Sequence, residues 1–443
     1  MHLYNKPVHS LYLSYVTPTL IGAISSSIYC LVDVYFVSKG AGSVGLAALN
    51  IAMPVYTIYS CIGLLFGVGG ATIMGIAEGA KDDVTRNQSF TLSCIMMLII
   101  GIIISIVGSI WVEPFARLLG STEDILPYVK DYMLPVNICA FGFIFMHASG
   151  ILLRADHAPK TAMISLMIGN ISNIILDYLF VMVFHMGILG ASIATALSPI
   201  ITLFCIAIYF IRKKNKVKFT KDFYSTHLLR RIVSSGLGVG ILELSTGFII
   251  IVFNIIILAI SNETALAAYA IITNIAYVLK GLLTGMAQAG QPILSANFGA
   301  GYKERVYEVL KITLFYSVIF SLITYLCFLL FPKSIVAVFA EGDQALIQVS
   351  AKGLCIYFSS LVFMAINSMM MNYYQSIEQG KVATGIAFLK GIILIIIGLS
   401  LLVPFFGLNG VWLCVLFAEG ICTLIVWCFY RYTSSTIFVE DSF

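Results

Sequence analysis

Three polar side chains inside one apolar run set the chemical question. Asn170, Asn173 and Asp177 lie in IGNISNIILDYLF, residues 168–180. Spacings of three and four put all three on one face of a helix. A carboxylate held in a bilayer costs a few kcal/mol or more, and such groups face a bundle interior or a water-filled cavity. Buried carboxyls in general bind protons more tightly than exposed ones, and neighbouring amides supply ligands. The chemistry on offer is a proton or sodium site. The structural alternative is an acid hydrogen-bonded to a neighbouring helix.

A second acid stands in a similar setting. Asp33 lies in SSSIYCLVDVYF and shares an i, i+4, i+7 face with Tyr29 and Phe36. It falls about 9 Å short of an expected helix end at Lys39, and Asp177 about 12 Å short of one at His185. If both helices run outward, the two acids sit at similar depth and would raise one another's proton affinity. The alternative for Asp33 is an acid at the membrane interface.

A polar stripe follows later in the chain: Tyr277, Lys280, Thr284, Gln288, Gln291 and Ser295. At a constant offset the earlier half has Tyr59, Ile62, Phe66, Gly70, Ile73 and Ala77. A scaffold that diverges at these positions suggests a cavity-lining surface, or else interhelical hydrogen bonding. Glu243 and Lys280 are expected to pair, as are Lys390 and Glu419. His147 is expected to be a satisfied histidine, although it could titrate near neutrality. Pro18 removes one backbone bond from its helix and favours a kink. A bend there would move Asp33; a passive kink near the helix start is the other reading.

These residues need a scaffold, and the composition supplies its class. The chain has 443 residues, 60% hydrophobic and 10% charged. Soluble domains carry about 25% charged residues. Twelve apolar runs read as membrane spans: 11–37, 45–78, 88–112, 125–153, 160–184, 188–211, 231–259, 264–298, 307–330, 345–375, 382–403 and 408–431. The fold class is therefore an all-α polytopic membrane protein. Lys and Arg gather in the segments that lie inside if the N-terminus is cytoplasmic, so both termini are expected in the cytoplasm. The ten cysteines lie in apolar segments without a CxxC pattern. They read as small buried hydrophobes.

The chain is also duplicated. LAALN at 46–50 answers LAAYA at 266–270, GLLFG at 63–67 answers GLLTG at 281–285, and GILGASIATA at 187–196 answers GLNGVWLCVL at 407–416. Two six-helix bundles of the same membrane orientation follow, related by a pseudo-two-fold axis along the membrane normal. The expected organisation is an N-lobe over 1–211 (helices 1–6), a cytoplasmic linker over 212–231, and a C-lobe over 232–443 (helices 7–12). The linker, RKKNKVKFTKDFYSTHLLRR, is the most basic stretch. It reads as a topology signal and as a segment lying on an anionic inner leaflet. Nucleic-acid binding is not expected.

No Walker loop, HExxH, GxSxG or Cys/His metal cluster is present. This argues against an enzyme and against nucleotide-driven pumping, and leaves an ion gradient as the energy source. No cofactor is expected. The coupling ion is H+ or Na+, with sodium possible at Asp33, Asn173 and Asp177. Asp33, Asn170, Asn173 and Asp177 are the cation-coupling candidates. Tyr29, Tyr277, Thr284, Gln288, Gln291, Glu243 and Lys280 are the substrate-cavity candidates, and Pro18 the hinge.

GLLFGVGGATIMGIAEGAK, the LLRADHAPK loop, GNISNIILDYLF and GMAQAGQPILSANFGAG, on two parallel sixes of helices, resemble the MATE (multidrug and toxic compound extrusion) transporters over essentially the whole chain. The resemblance implies an ion-coupled antiporter that expels cationic, amphipathic small molecules from the cell membrane. It also implies an N-lobe cation site at Asp33, Asn173 and Asp177. One branch of the family carries a further acid on the tenth helix, but here that helix has Asn367 and no Asp or Glu. The departure favours the DinF-like bacterial branch. A monomer is expected. A lipid-linked saccharide or lipid flippase on a related scaffold is the competing reading. It would need a strongly basic cleft, and few lysines lie in the spans.

Overall fold

Apolar runs this long can satisfy their backbone in a bilayer only as helices or closed barrels. The computed structural model describes residues 6–340 and 343–433, and every regular element among them is helical. In chain order these are α1 Val8–Gly42 and α2 Val44–Gly79, α3 Asp83–Ile110, α4 Val112–Leu118, α5 Leu126–Ile138 and α6 Ala140–Ala155. Then come α7 Pro159–Val183, α8 Gly187–Ile211, α9 Thr226–Ile260, α10 Glu263–Gly299, α11 Lys303–Leu330 and α12 Pro332–Ala337. The last are α13 Gln344–Ser376, α14 Gly380–Phe406 and α15 Leu408–Thr433. Among the described residues, eleven helices are long and apolar enough to cross a membrane, and the α5–α6 pair, bent by 58°, counts as a twelfth span when taken together.

Two details differ from the sequence expectation. The stretch from Lys39 to Gly42 reads as the start of a loop, yet α1 continues through it. The turn into α2 is made at Gly42, at φ 61 and ψ −149, a conformation open to glycine and strained for other residues. The span expected over 125–153 is the bent pair, broken at Cys139.

Gly187 and Gly407 occupy corresponding places in the repeat and both adopt positive φ, 59° and 52°. Each turns the chain at the start of the sixth span of its half. Polar caps begin other helices: Asp82 accepts from Thr85 N and Asn262 from Ala265 N, each at 3.0 Å.

The chain forms two compact units. One is Leu13–Gly240; the other comprises the described residues of Met1–Tyr12 and Ile241–Phe443. Within the first, α7 turns Ile164, Ile168, Ile171 and Ile175 outward, the face that lipid would cover. Its opposite face buries Asn170, Asn173 and Asp177 against α8. Directly after Asp177 the helix widens into π-type turns over Tyr178–Val183. The corresponding helix of the second half, α14, does the same over Leu389–Ile393, around Lys390. Such turns break the regular ladder and concentrate at functional positions.

Candidate functional site

The Asn170/Asn173/Asp177 face meets α1 and α8 inside the first unit. Asp33 of α1 is 6% exposed, and Asn173 and Asp177 are fully buried. Thr195 of α8 lies between the two acids. Its hydroxyl donates to Asp33 Oδ1 at 2.9 Å. With the Asn173 amide oriented to satisfy both its ends, its oxygen accepts from Thr195 N at 3.2 Å and its nitrogen donates to Asp177 Oδ2 at 2.8 Å. A chain of hydrogen bonds therefore runs Asp33–Thr195–Asn173–Asp177 across three helices.

One atom in this chain is left over. Asp177 Oδ1 is buried and has no hydrogen-bond partner. A buried carboxylate oxygen without a donor is expensive. A proton on the carboxyl, or a small cation beside it, would remove that cost. Carboxylate and hydroxyl oxygens are hard ligands for such a cation, and in this orientation the Asn173 amide presents its nitrogen to Asp177.

The site continues around this relay. Asn170 Nδ2 donates to Ser25 Oγ and Ser26 Oγ of α1, each at 3.2 Å. Tyr29 and Tyr56 lie within electrostatic reach of both acids. The Tyr56 hydroxyl is 3.1 Å from that of Tyr132. His147 is satisfied, with Ser60 Oγ 2.9 Å from its Nε2. Pro18 sits within α1, which remains one continuous helix through it.

The second unit holds a cavity of about 1000 Å³, its open mouth included, lined by residues from α9, α10, α13, α14 and α15. Tyr277, Lys280 and Thr284 line it. Gln288 and Gln291 of the same stripe are not on its wall, and Gln291 is wholly buried. Glu243 reaches the cavity through Lys280, whose Nζ donates to Glu243 Oε2 at 3.0 Å and to Thr246 Oγ1 at 2.8 Å. Lys390 donates to Glu419 Oε1 at 3.2 Å, and Asn367 to Glu419 Oε2 at 2.6 Å. Thr423 then donates to Asn367 Oδ1 at 3.1 Å. Each lysine on this wall therefore has a glutamate beside it.

Sequence reasoning missed Thr195, Ser25, Ser26 and Tyr56. Thr195 did leave a signal. Ser192, Thr195, Ser198 and Thr202 follow one another at spacings of three and four in α8, and all four are buried.

The MatE family model matches residues 18–179 and 238–400. The multidrug export protein MepA of Staphylococcus saprophyticus subsp. saprophyticus is 25% identical over 414 residues, 93% of this chain and 91% of that protein. MepA of Staphylococcus aureus (strain MRSA252) is 27% identical over 432 residues, 95% and 92% of the two chains. Among solved structures, an outward-facing multidrug resistance MATE transporter of the MOP superfamily superposes with TM-score 0.92 at 21% identity over 98% of both chains. A MATE protein in its straight conformation gives 0.92 at 22% identity, again over 98% of both chains.

Proposed function

Because the chain belongs to the MATE family of multi-pass membrane transporters, we propose that it is an ion-coupled antiporter of the cell membrane that exports cationic amphipathic compounds. Its relatives are named as multidrug export proteins. It is a transporter and not an enzyme. The coupling ion is H+ or Na+, taken up at Asp177 and Asp33 with Asn173 and Thr195 as supporting ligands and Asn170 anchoring α7 to α1. The observation that carries this reading is Asp177 Oδ1, a buried carboxylate oxygen without a partner.

Filling that position changes the charge at the α7 end of the relay and so the packing of α1 against α7 and α8. Pro18, which weakens the backbone ladder of α1, is the hinge through which α1 responds. A drug with equal affinity for both states would shift nothing, so the ion must change relative affinity. One cation entering down 100 mV supplies about 2.3 kcal/mol, about 1.7 decades of gradient for a drug movement that carries no charge. Tyr29 on the α1 face, with Tyr277, Lys280, Thr284, Gln288, Gln291 and Glu243 in the other half, are the residues assigned to substrate. The protein acts as a monomer with both termini in the cytoplasm.

A flippase for anionic lipid-linked saccharides would want uncompensated lysines. Here Lys280 and Lys390 each face a glutamate, which favours the export reading. The test is Asp177→Asn in everted membrane vesicles. Exchange of a fluorescent cation for the imposed ion gradient should be abolished while the protein still inserts and folds. Undiminished exchange would overturn the assignment.

A further inference from the structure

The basic connection after α8 is not a loose loop. Its backbone is fastened residue by residue to the helices of the first unit. The amides of Lys216 and Val217 both donate to Asp156 Oδ1, at 2.9 and 3.0 Å. The Lys218 amide donates to Asn87 Oδ1 at 2.8 Å, and the Thr220 amide to Thr91 Oγ1 at 3.1 Å. Gln88 Nε2 donates to the Asp222 carbonyl at 2.7 Å. Val217 is 1% exposed, and the Phe219 ring packs 5.0 Å from that of Phe90.

This fastening fixes what faces outward. Lys213, Lys214, Lys216, Lys218 and Lys221 are all exposed, and none has an ion-pair partner among the described residues. Of the nearby acids, Asp156 holds the strap backbone, Asp83 pairs with Arg86, and Glu78 contacts His157 while also feeling the charge of Lys216; Asp222, within the strap, offsets one of its six positive charges. Phe219 and Tyr224 stay about two-thirds exposed, at 64% and 67%.

The fastening also fixes depth. Asn87 and Thr91 lie four and eight residues into α3, about 6 and 12 Å along its axis. A helix the length of α3, Asp83–Ile110, overshoots the ~30 Å hydrocarbon core by about 12 Å. Shared between the two ends, that overshoot puts Asn87 near the hydrocarbon boundary, so the strap runs at the membrane interface and not out in the aqueous phase. Lysines and exposed aromatic rings at that level match a layer of anionic headgroups.

We propose that residues 212–224 form a preassembled docking strap for anionic phospholipid headgroups. The ordering of the backbone is already met by the protein, so lipid binding loses little chain entropy. The proposal does not depend on the coupling ion or on the substrate.

The test uses the full chain in nanodiscs of phosphatidylcholine with and without phosphatidylglycerol, which offer the lipid to both faces. Protein-bound lipid is counted by native mass spectrometry. Wild type should retain phosphatidylglycerol over phosphatidylcholine, and added salt should reduce the preference. Lys213→Gln/Lys214→Gln/Lys218→Gln/Lys221→Gln alters only exposed side chains and should lower it about fivefold for each charge removed. Asp156→Ala keeps every lysine but frees the strap, and should lower it less. An unchanged preference in the quadruple variant overturns the proposal. So does displacement of the lipid by inorganic phosphate at matched ionic strength, which would mark a site for free phosphate instead.

Discussion

Thr195 donates its hydroxyl to Asp33 across 2.9 Å and its backbone N–H to the Asn173 side chain across 3.2 Å. One residue of α8 thus joins an acid on α1 to the amide that holds the second acid on α7.

Thr195→Val keeps the shape and removes the donor to Asp33. A hydrogen bond to a charged group contributes about 1.5–3 kcal/mol, so ion-driven drug exchange should fall about tenfold or more. Thr195→Ser, which keeps the donor, should stay near wild type. Initial rates in proteoliposomes under an imposed gradient separate the two. Equal rates for the valine and serine variants would remove Thr195 from the coupling path.

The Lys390–Glu419 pair makes a different prediction, about stability. Their side chains are 6% and 9% exposed. Lys390→Met leaves Glu419 buried with Asn367 as its remaining donor, and breaking one side of a buried pair costs about 3–5 kcal/mol. Lys390→Met/Glu419→Gln removes both charges and should recover most of that loss. Thermal unfolding in detergent measures it. A single variant as stable as wild type would show that the pair is solvated.

Much of this site could be read in the sequence because an acid or an amide stands out in an apolar run. Asp33, Asn170, Asn173 and Asp177 were visible for that reason, and so was the Lys280–Glu243 pair. Thr195 was not, because a threonine in a helix commonly satisfies its hydroxyl on its own backbone, and only the fold shows that this one reaches Asp33. The turn at Gly42 was hidden because Lys39–Gly40–Ala41–Gly42 has loop composition while a single positive φ suffices to turn the chain. The strap was hidden too: Asp156 lies far from Lys216 and Val217 in sequence, and nothing local reveals that its carboxylate accepts both their amides.

Close helix packing at glycine differs sharply from site to site, and this can be measured. A Cβ on Gly69 would lie 2.0 Å from the Ile232 carbonyl oxygen, and one on Gly236 1.9 Å from that of Leu65. A Cβ on Gly281 meets nothing within 4 Å. Gly69→Ala must push backbone apart and should lose about 1–3 kcal/mol or more. Gly281→Ala removes backbone freedom in a helix and should be neutral or gain about 0.5–1 kcal/mol. Melting temperatures of the two variants should shift in opposite directions or, at the least, only the first should fall. A Gly69→Ala protein that melts with wild type would mean that α2 and α9 do not approach so closely.

Global stability should also depend on pH through Asp156. Burial pushes its carboxyl above the usual range, against the opposing pull of the bonds from Tyr209 and from the Val217 and Lys216 amides. An acid whose folded value is raised binds its proton more tightly when folded. Its contribution is fully present below the unfolded carboxylate range and is lost as pH rises through the shifted value. The melting temperature in detergent should therefore receive its largest contribution from Asp156 in acid and lose it as pH rises through that value. Asp156→Asn cannot ionise and should flatten the decline, while its side-chain oxygen can still accept an amide. A decline of equal size in the asparagine variant would assign the pH dependence to another group.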